Sequence, residues 1–168
     1  MKVLQFAAIV MTAVMLIPTG AHFFELSNKI GLPREQYFIV QRIYLGWAYF
    51  GIPLIASIII DLALAIMSRE QGAAMWFAFG AFVLMTATLA IFFIWTYPAN
   101  QATGNWSVVP DNWRQLRRQW EYSHAVNACL TFGALCSLVI AVLTTPAVRL
   151  GREAPGKGAT KATNPEAA

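Results

Sequence analysis

Two histidines and two glutamates are the residues of this chain whose types and spacing suit chemistry best. Glu25 follows His22 by three positions, and His124 follows Glu121 by three positions. Side chains at this spacing lie on one face of a helix, so each pair presents an imidazole and a carboxylate together. An imidazole has an ordinary pKa of about 6.5, which suits proton transfer near neutral pH. We therefore expect one cluster formed by these four residues.

Acid–base catalysis is the first chemistry that this cluster predicts. His124 or His22 would take a proton from an acidic carbon or a phenol of a small hydrophobic substrate, oriented by Glu121 or Glu25. Arg117, one helical turn before Glu121, would face the anion that develops. Other polar and aromatic residues are expected to contact the substrate: Gln41, Tyr44, Trp47, Asn100, Trp106 and Trp120.

The same residues allow alternatives without acid–base catalysis. Two histidines and two glutamates could ligate one metal ion, although the further glutamates of dimetal carboxylate bundles are missing. Two histidines on facing helices could instead ligate a haem. A network of ion pairs such as Arg117 with Glu121 could also fix the end of a bundle that binds a lipid, a quinone or a partner protein. The residues therefore leave the cofactor undecided.

The composition of the chain places these residues in a membrane. Of 168 residues, 58% are hydrophobic and 12% are charged, and the mean hydropathy is +0.54. This is too apolar for an ordinary soluble domain. Because the net charge is only +4, we expect a lipid bilayer as the partner and no nucleic acid. Cys129 and Cys136 are seven residues apart on one predicted helix, which excludes a thiol oxidoreductase built on a close cysteine pair.

Four apolar runs predict an all-α fold, a membrane-spanning four-helix bundle with up-down-up-down topology. The predicted spans cover about 3–26, 43–68, 73–97 and 119–145. We expect the first to be an uncleaved span rather than a signal peptide, because it is about 22 residues long and ends in polar residues. Residues 1–148 would form one transmembrane domain, and 149–168 a disordered basic tail.

Glycine and proline predict where the helices bend or end. The second helix with its polar start would exceed the roughly 30 Å of a hydrocarbon core, so we expect a bend near Gly46, Gly51 or Pro53. Pro98 is expected to stop the third span and to begin a polar loop over 98–112. A connection of this length is often a lid or a binding loop.

Asp61 is an acidic residue deep inside an apolar run. An ionised carboxylate at that depth costs roughly 3 kcal/mol or more unless it is paired. Two interpretations follow: a structural role, in which Asp61 is neutral or paired with Arg69 or a neighbouring helix, and a role in proton movement.

Alternating spans bring the polar residues to one surface of the membrane. Most tryptophans and tyrosines fall near the same surface, and this asymmetry predicts a lined pocket. The basic residues divide equally, with six on each side. Because Glu121 can neutralise Arg117 while the basic tail is free, we predict a multi-pass protein of the plasma (inner) membrane with both termini in the cytoplasm.

Four segments of the chain carry a family resemblance: His22 to Leu26, Tyr37 to Trp47, Tyr97 to Trp106 and Trp113 to His124. The most specific part is Pro98-x-Asn100 together with Arg117-x2-Trp120-Glu121-x2-His124. Nearly the whole chain up to Thr145 thereby resembles the four-span proteins of domain of unknown function 1772, which include anthrone-oxygenase-like proteins of polyketide pathways. The element with His22 and Glu25 is similar to a bacterial subgroup rather than to the oxygenase members. The resemblance implies a membrane enzyme of oxygenase-like or oxidoreductase-like activity.

Overall fold

The structure is a computed structural model that describes residues 1–145. The predicted disordered tail, 149–168, lies outside the described residues. The described chain is helical, and its helices are α1 (Lys2–Lys29), α2 (Arg34–Gln41), α3 (Gly51–Met67), α4 (Ala73–Ile91), α5 (Tyr97–Ala102) and α6 (Trp113–Leu143).

Four helical stretches are long and apolar enough to cross a membrane: Lys2–Lys29, Trp47–Met67, Ala73–Ala102 and Trp113–Leu143. Both α1 and α4 pack against α3 and α6, so the order around the bundle is α1, α3, α4, α6. Each span therefore packs beside the span that follows it in the sequence. The predicted all-α fold, a membrane-spanning four-helix bundle with up-down-up-down topology, is confirmed.

The two ends of the bundle are packed with different side chains. We call the end where α1 and α5 finish and α6 begins the mouth, and the opposite end, with the chain start and the α3–α4 turn, the base. The half of the bundle toward the base is filled by small and aliphatic residues that let the helices approach closely: Ala8, Leu64, Ala65, Ala78, Ala81, Ala134, Leu138 and Ala141. The mouth is packed mainly with aromatic rings: Tyr37, Trp106, Trp113 and Trp120, with Ala99 and Leu116.

The predicted bend of the second helix lies at Gly46. This residue has a φ of 89°, a left-handed conformation that glycine adopts without steric cost. One 3₁₀ turn precedes the bend at Arg42–Tyr44, and a second follows it at Trp47–Phe50. The bend leaves α2 outside the membrane span, where it lies across the mouth.

The prediction that Pro98 stops the third span was wrong. The chain passes through a π-helical turn at Phe92–Thr96 and stays helical to Ala102. Pro98 falls in the first turn of α5, where its missing N–H is tolerated. The polar connection then turns back through three residues with positive φ, so that Trp106 returns into the mouth with 6% of its surface exposed; they are Gly104, Asn105 and Trp106.

Candidate functional site

The two histidines lie side by side at the mouth, one from α1 and one from α6. The ring centroids of His22 and His124 are 4.1 Å apart, and the ring planes are tilted by 32°. The ring of Trp120 lies 4.8 Å from His22 and 4.3 Å from His124, and the ring of Tyr44 lies 4.4 Å from His22. His22 is buried, and its Nδ1 has no hydrogen-bond partner within the described residues. The fold thus sets the imidazole pair inside an aromatic enclosure.

The two glutamates form ion pairs with a lysine instead of hydrogen bonds with the histidines. Lys29 Nζ lies 3.3 Å from Glu25 Oε2 and 3.4 Å from Glu121 Oε2. Neither imidazole takes part in a hydrogen bond within residues 1–145, so the expected orientation of the histidines by Glu25 or Glu121 is not seen there. A buried ammonium group attracts a carboxylate more strongly than a neutral imidazole does, which accounts for this arrangement.

Lys29 connects the glutamates to the wall of the histidine enclosure. Its side chain is 4% exposed, and its Nζ donates a hydrogen bond of 2.7 Å to the hydroxyl of Tyr44. The Tyr44 hydroxyl in turn donates to Glu25. Burial, with the bond to Glu25, raises the pKa of the Tyr44 hydroxyl far above its ordinary value. Tyr44 is therefore a neutral donor whose ring is held against His22.

Glu121 is fully buried among hydrogen-bond donors. The hydroxyl of Tyr37 donates to Glu121 Oε1 over 3.0 Å, and Gln41 Nε2 donates to the same oxygen over 3.4 Å. Burial raises the pKa of Tyr37, and the negative charge of Glu121 adds to this effect. These bonds tie α2 to α6 across the mouth.

Arg117 does not form the predicted ion pair with Glu121. Its Nη1 donates to the backbone carbonyl of Leu32 over 2.8 Å, and its guanidinium lies 5.2 Å from the ring of Tyr37 and 4.9 Å from that of Trp113. Lys29 is the cation beside Glu121. Arg117 therefore fixes the connection between α1 and α2 by a hydrogen bond and by stacking on aromatic rings.

A cavity of about 1400 Å³ lies against the histidine pair. Both His22 and His124 line it, whereas Glu25, Arg117 and Glu121 do not. The six residues that we expected to contact a substrate all line the cavity: Gln41, Tyr44, Trp47, Asn100, Trp106 and Trp120. Asn100 also accepts a hydrogen bond of 2.8 Å from Trp120 Nε1, which fixes the indole beside the histidines.

Four buried polar atoms of residues that line the cavity have no partner within residues 1–145: His22 Nδ1, Gln41 Oε1, Trp106 Nε1 and Asn127 Oδ1. Buried polar groups are normally hydrogen-bonded, so these four atoms are polar groups of the cavity wall whose bonding is incomplete within the described residues. The indole N–H donates, the two amide oxygens accept, and the imidazole does either according to its tautomer.

The lining of the cavity reaches the surface both at the mouth, through the exposed polar residues Arg42, Asn105 and Ser107, and along the outer side of the second and third spans. On the outer side the lining includes Leu45 and Ile52, which are 85% and 71% exposed, and Phe93 of the π-helical turn, which is 57% exposed. In a membrane this outer side meets lipid. The floor of the cavity, deeper in the bundle, is formed by Met15, Leu54, Ile55, Thr88 and Thr131.

The metal and haem alternatives find little support in this geometry. Residues 1–145 contain no group of three or more His, Cys, Asp or Glu side chains that could hold a metal ion. Lys29 occupies the carboxylate oxygens of Glu25 and Glu121 that a four-ligand site would need. Iron between two imidazoles, with metal–nitrogen bonds of about 2 Å, would hold the ring centroids roughly 6 Å apart. The observed 4.1 Å leaves no room for it.

Three residues of the site had no role in the predictions from sequence. Lys29 lies seven residues after His22 and four after Glu25, a spacing that places all three on one stripe of α1. Asn127 follows His124 by three residues and so shares its face of α6. Tyr37 lies four residues before Gln41 on α2. Helical spacing was therefore the available signal in each case.

Comparisons of the chain with family models, with curated proteins and with solved structures find no match. The resemblance of the sequence motifs to domain of unknown function 1772 stays an expectation.

Proposed function

We propose that the cavity binds a small apolar molecule with an aromatic or quinoid ring and a hydroxyl or carbonyl group, and that the histidine pair exchanges a proton with that group. One observation carries this proposal: His22 and His124 lie together in the wall of an aromatic cavity, and four residues of its lining hold buried polar atoms without a partner among the described residues. Phenols, hydroquinones and quinones combine these properties. The oxygenase-like activity implied by the sequence resemblance belongs to the same class of chemistry.

The lining of the cavity favours a flat ring with an apolar tail. The rings of Tyr44, Trp47, Trp106 and Trp120 offer stacking surfaces. A volume of about 1400 Å³ exceeds the roughly 300–1000 Å³ of common small-molecule pockets, so the ring need not fill it alone. The exposed rim at Leu45, Ile52 and Phe93 leaves a path for a tail into the surrounding lipid. Such a ligand would enter from the bilayer.

The histidine pair suits the transfer of one proton. Two imidazolium charges about 4 Å apart repel by about 4 kcal/mol at an effective dielectric constant of about 20, so the pair holds at most one added proton. With Nδ1 of His22 unprotonated, a phenol O–H or an acidic C–H beside it can lose its proton to that nitrogen. The O–H or C–H bond breaks, an N–H bond forms, and the electron pair stays on the ligand. The N–H of Trp106 is free to donate to the resulting anion.

Ligand binding can be tested by quenching of tryptophan fluorescence in the full chain held in lipid nanodiscs. The probes are 2-methyl-1,4-naphthoquinone and its hydroquinone. Trp76 lies at the base and is 67% exposed, so Trp76→Phe removes background emission. We expect saturable quenching, weakened about tenfold in Asn127→Leu because an amide acceptor is lost. Tyr122→Phe on the exposed face of α6 is the matched control. Quenching that does not saturate, or that is equal in Asn127→Leu, would contradict the proposal.

Binding without chemistry is the second candidate, and one observation favours it. Catalytic histidines are usually oriented by a hydrogen bond to a second group, and within the described residues neither imidazole has one. The exchange of acidic C–H protons of anthrone with D₂O, followed by NMR, separates the two functions. Catalysis predicts acceleration that His124→Ala abolishes while the protein stays folded. An equal exchange rate with and without protein would leave binding alone.

For the orientation we propose that both termini face the cytoplasm of a plasma (inner) membrane and that the mouth faces outward. The sequence predicts six basic residues on each side; among the described residues, Lys29 and Arg34 at the mouth are ion-paired with Glu25 and Glu35 at 3.3 Å and 2.7 Å, and Arg69 at the base with Glu70 at 3.6 Å, so the proposal depends on the basic residues after 145. A reporter that is active only in the cytoplasm, fused after Ala168, is expected to be active. Activity of only a periplasmic reporter at the same position would reverse the assignment.

A further inference from the structure

Beneath the floor of the cavity lies an acid that the proposed function does not use. Asp61 of α3 is 0% exposed, and neither of its carboxyl oxygens has a hydrogen-bond partner within residues 1–145. The predicted pairing with Arg69 is not formed, because Arg69 lies 3.6 Å from Glu70 in the exposed α3–α4 turn. An ionised carboxylate without partners is expensive in the interior of a membrane bundle, so the neutral acid is the stable form.

Two buried hydroxyl groups lie between Asp61 and the cavity. Thr12 of α1 and Ser57 of α3 are 0% exposed, and their oxygens are hydrogen-bonded at 3.3 Å. Ser57 is one helical turn before Asp61, and the Thr12 hydroxyl lies close to the Asp61 carboxyl without completing a hydrogen bond of good geometry. Met15, one turn from Thr12 toward the mouth, belongs to the cavity floor. The hydroxyl pair therefore lies on the cavity side of the acid, about one helical turn below the cavity floor.

Apolar packing closes the other side of Asp61. Ala8 of α1 and Leu64 and Ala65 of α3 lie about one turn nearer the base, with 0%, 1% and 5% of their surfaces exposed. They belong to the buried cluster that also contains Ala78, Ala81, Leu138 and Ala141. Alkyl side chains neither donate nor accept protons. Asp61 therefore has hydroxyl groups on its side toward the cavity and hydrocarbon on its side toward the base.

We propose that Asp61 is a proton store for the cavity. The O–H bond of its carboxyl group breaks, each hydroxyl of the Thr12–Ser57 pair accepts one proton and passes on its own, and a base in the cavity gains an N–H or O–H bond. The electron pair stays on Asp61 as a carboxylate, the two hydroxyls are restored, and the reverse sequence refills the store. Protons are exchanged with the cavity and not across the membrane. The store operates with any proton acceptor in the cavity, whether or not a ring-bearing ligand binds there.

Infrared spectroscopy of the full chain in lipid nanodiscs tests the protonation state of Asp61 without any ligand. A buried neutral carboxyl group gives its own carbonyl band, which shifts when deuterium replaces the proton. We expect this band at neutral pH in the wild type, its loss in Asp61→Asn, a displaced band in Asp61→Glu, and no change in Glu25→Gln. A spectrum in which Asp61→Asn leaves the carboxyl region unaltered would show that Asp61 is ionised and would overturn the proposal.

The rate at which deuterium reaches the carboxyl group tests the route. Because alkyl groups cannot relay protons, Thr12→Val combined with Ser57→Ala is expected to slow the exchange of the Asp61 band by about tenfold or more. Thr131→Val is the matched control, since it removes another buried hydroxyl, one bonded to the backbone oxygen of Asn127. Equal exchange rates in the double variant and the control would overturn the hydroxyl route.

A third measurement tests the insulation of Asp61 from the base. The protein is placed in sealed vesicles that contain a pH-sensitive dye, and a proton gradient is applied. Vesicles with protein are expected to leak protons no faster than vesicles without it. A leak that Asp61→Asn removes would replace the store by a pathway through the membrane.

Discussion

The mouth and the base of this bundle bury carboxyl groups in opposite ways. At the mouth Glu121 is 0% exposed and is met by Lys29 at 3.4 Å and by the donors of Tyr37 and Gln41. Toward the base Asp61 is also 0% exposed, yet its oxygens have no hydrogen-bond partner among the described residues. We infer two forms of a buried carboxyl group from this difference: for Glu121 an ion beside a cation and two donors, and for Asp61 a neutral acid.

Replacing Lys29 should cause the largest loss of stability. Lys29→Met leaves Glu121 and Glu25 without their cation, and breaking a buried ion pair from one side typically costs about 3–5 kcal/mol. The free energy of unfolding can be measured by titration with sodium dodecyl sulfate in mixed micelles. Arg69→Met is the matched control because Arg69 and Glu70 have side chains 72% and 85% exposed, and no measurable change is expected there. Equal losses in both variants would mean that the mouth network adds little stability.

The two acids can be compared directly by neutral substitutions. Glu121→Gln removes the charge that Lys29, Tyr37 and Gln41 surround, and we expect a loss of about 2–3 kcal/mol because hydrogen bonds to charged groups are strong. Asp61→Asn replaces a neutral acid by a neutral amide, and a change within about 1 kcal/mol is expected. The same unfolding titration measures both. A cost for Asp61→Asn as large as that for Glu121→Gln would indicate an ionised and paired Asp61.

Removing single hydroxyl groups also tests the difference between the mouth and the base. Tyr37→Phe removes a donor to the charged Glu121, at an expected cost of about 1.5–3 kcal/mol, whereas Thr12→Val removes a neutral bond of 3.3 Å, at a cost near 1 kcal/mol. A double-mutant cycle with Glu121→Gln should show coupling for Tyr37 and none for Thr12. Coupling of similar size for both would contradict the separation of the two regions.

The contribution of Tyr37 should have a defined dependence on pH. Burial and the charge of Glu121 raise the pKa of Tyr37 in the folded protein above its unfolded value of about 10. The stabilisation by this hydroxyl is therefore fully present below about pH 10 and declines only as the pH rises further. The difference in unfolding free energy between the wild type and Tyr37→Phe should be constant from about pH 6 to 9. A decline within that interval would show that Tyr37 ionises there.

The bend that holds α2 across the mouth should be sensitive to one methyl group. Gly46 has a φ of 89°, and a Cβ atom added there would meet no neighbouring side chain within 4 Å, so Gly46→Ala introduces only backbone strain, about 1–2 kcal/mol. Gly51 is helical and equally open, and Gly51→Ala should be neutral or stabilising by up to about 1 kcal/mol. Thermal unfolding of the two variants measures the contrast. Equal effects would show that the chain can bend elsewhere.

The helices of the fold were predictable because a chain that crosses lipid must satisfy its backbone hydrogen bonds internally. Long apolar runs must form helices, and Gly46 lies where the polar start of the second helix meets its apolar run. The end of the third span was not predictable from Pro98. The helix continues past Pro98 after a π-helical turn at Phe92–Thr96. This turn shifts the hydrogen-bond register of the helix, and the apolar composition of the segment does not reveal it.

The site was partly predictable for a related reason. Helical spacing predicted that His22 lies on the same face as Glu25, and Glu121 on the same face as His124. It did not predict the hydrogen-bond or ion-pair partner of each of these side chains. Lys29 lies at the end of α1, where a lysine usually extends to the membrane surface, and only the packing of α2 across the mouth encloses it. Partners of buried charges are set by tertiary contacts between distant segments, and a single sequence does not contain that information.

The π-helical turn at Phe92–Thr96 sets the direction in which the last part of the third span faces. Such a turn holds one residue more than an α-helical turn, and each residue of a helix rotates the chain by about 100°. Removing one residue from this turn would restore α-helical pairing and swing Asn100 about a quarter of a circle around the helix axis, away from the indole of Trp120 that it now contacts. The hydrogen bond that fixes Trp120 beside the histidines thus depends on the one additional residue that the π-helical turn contains.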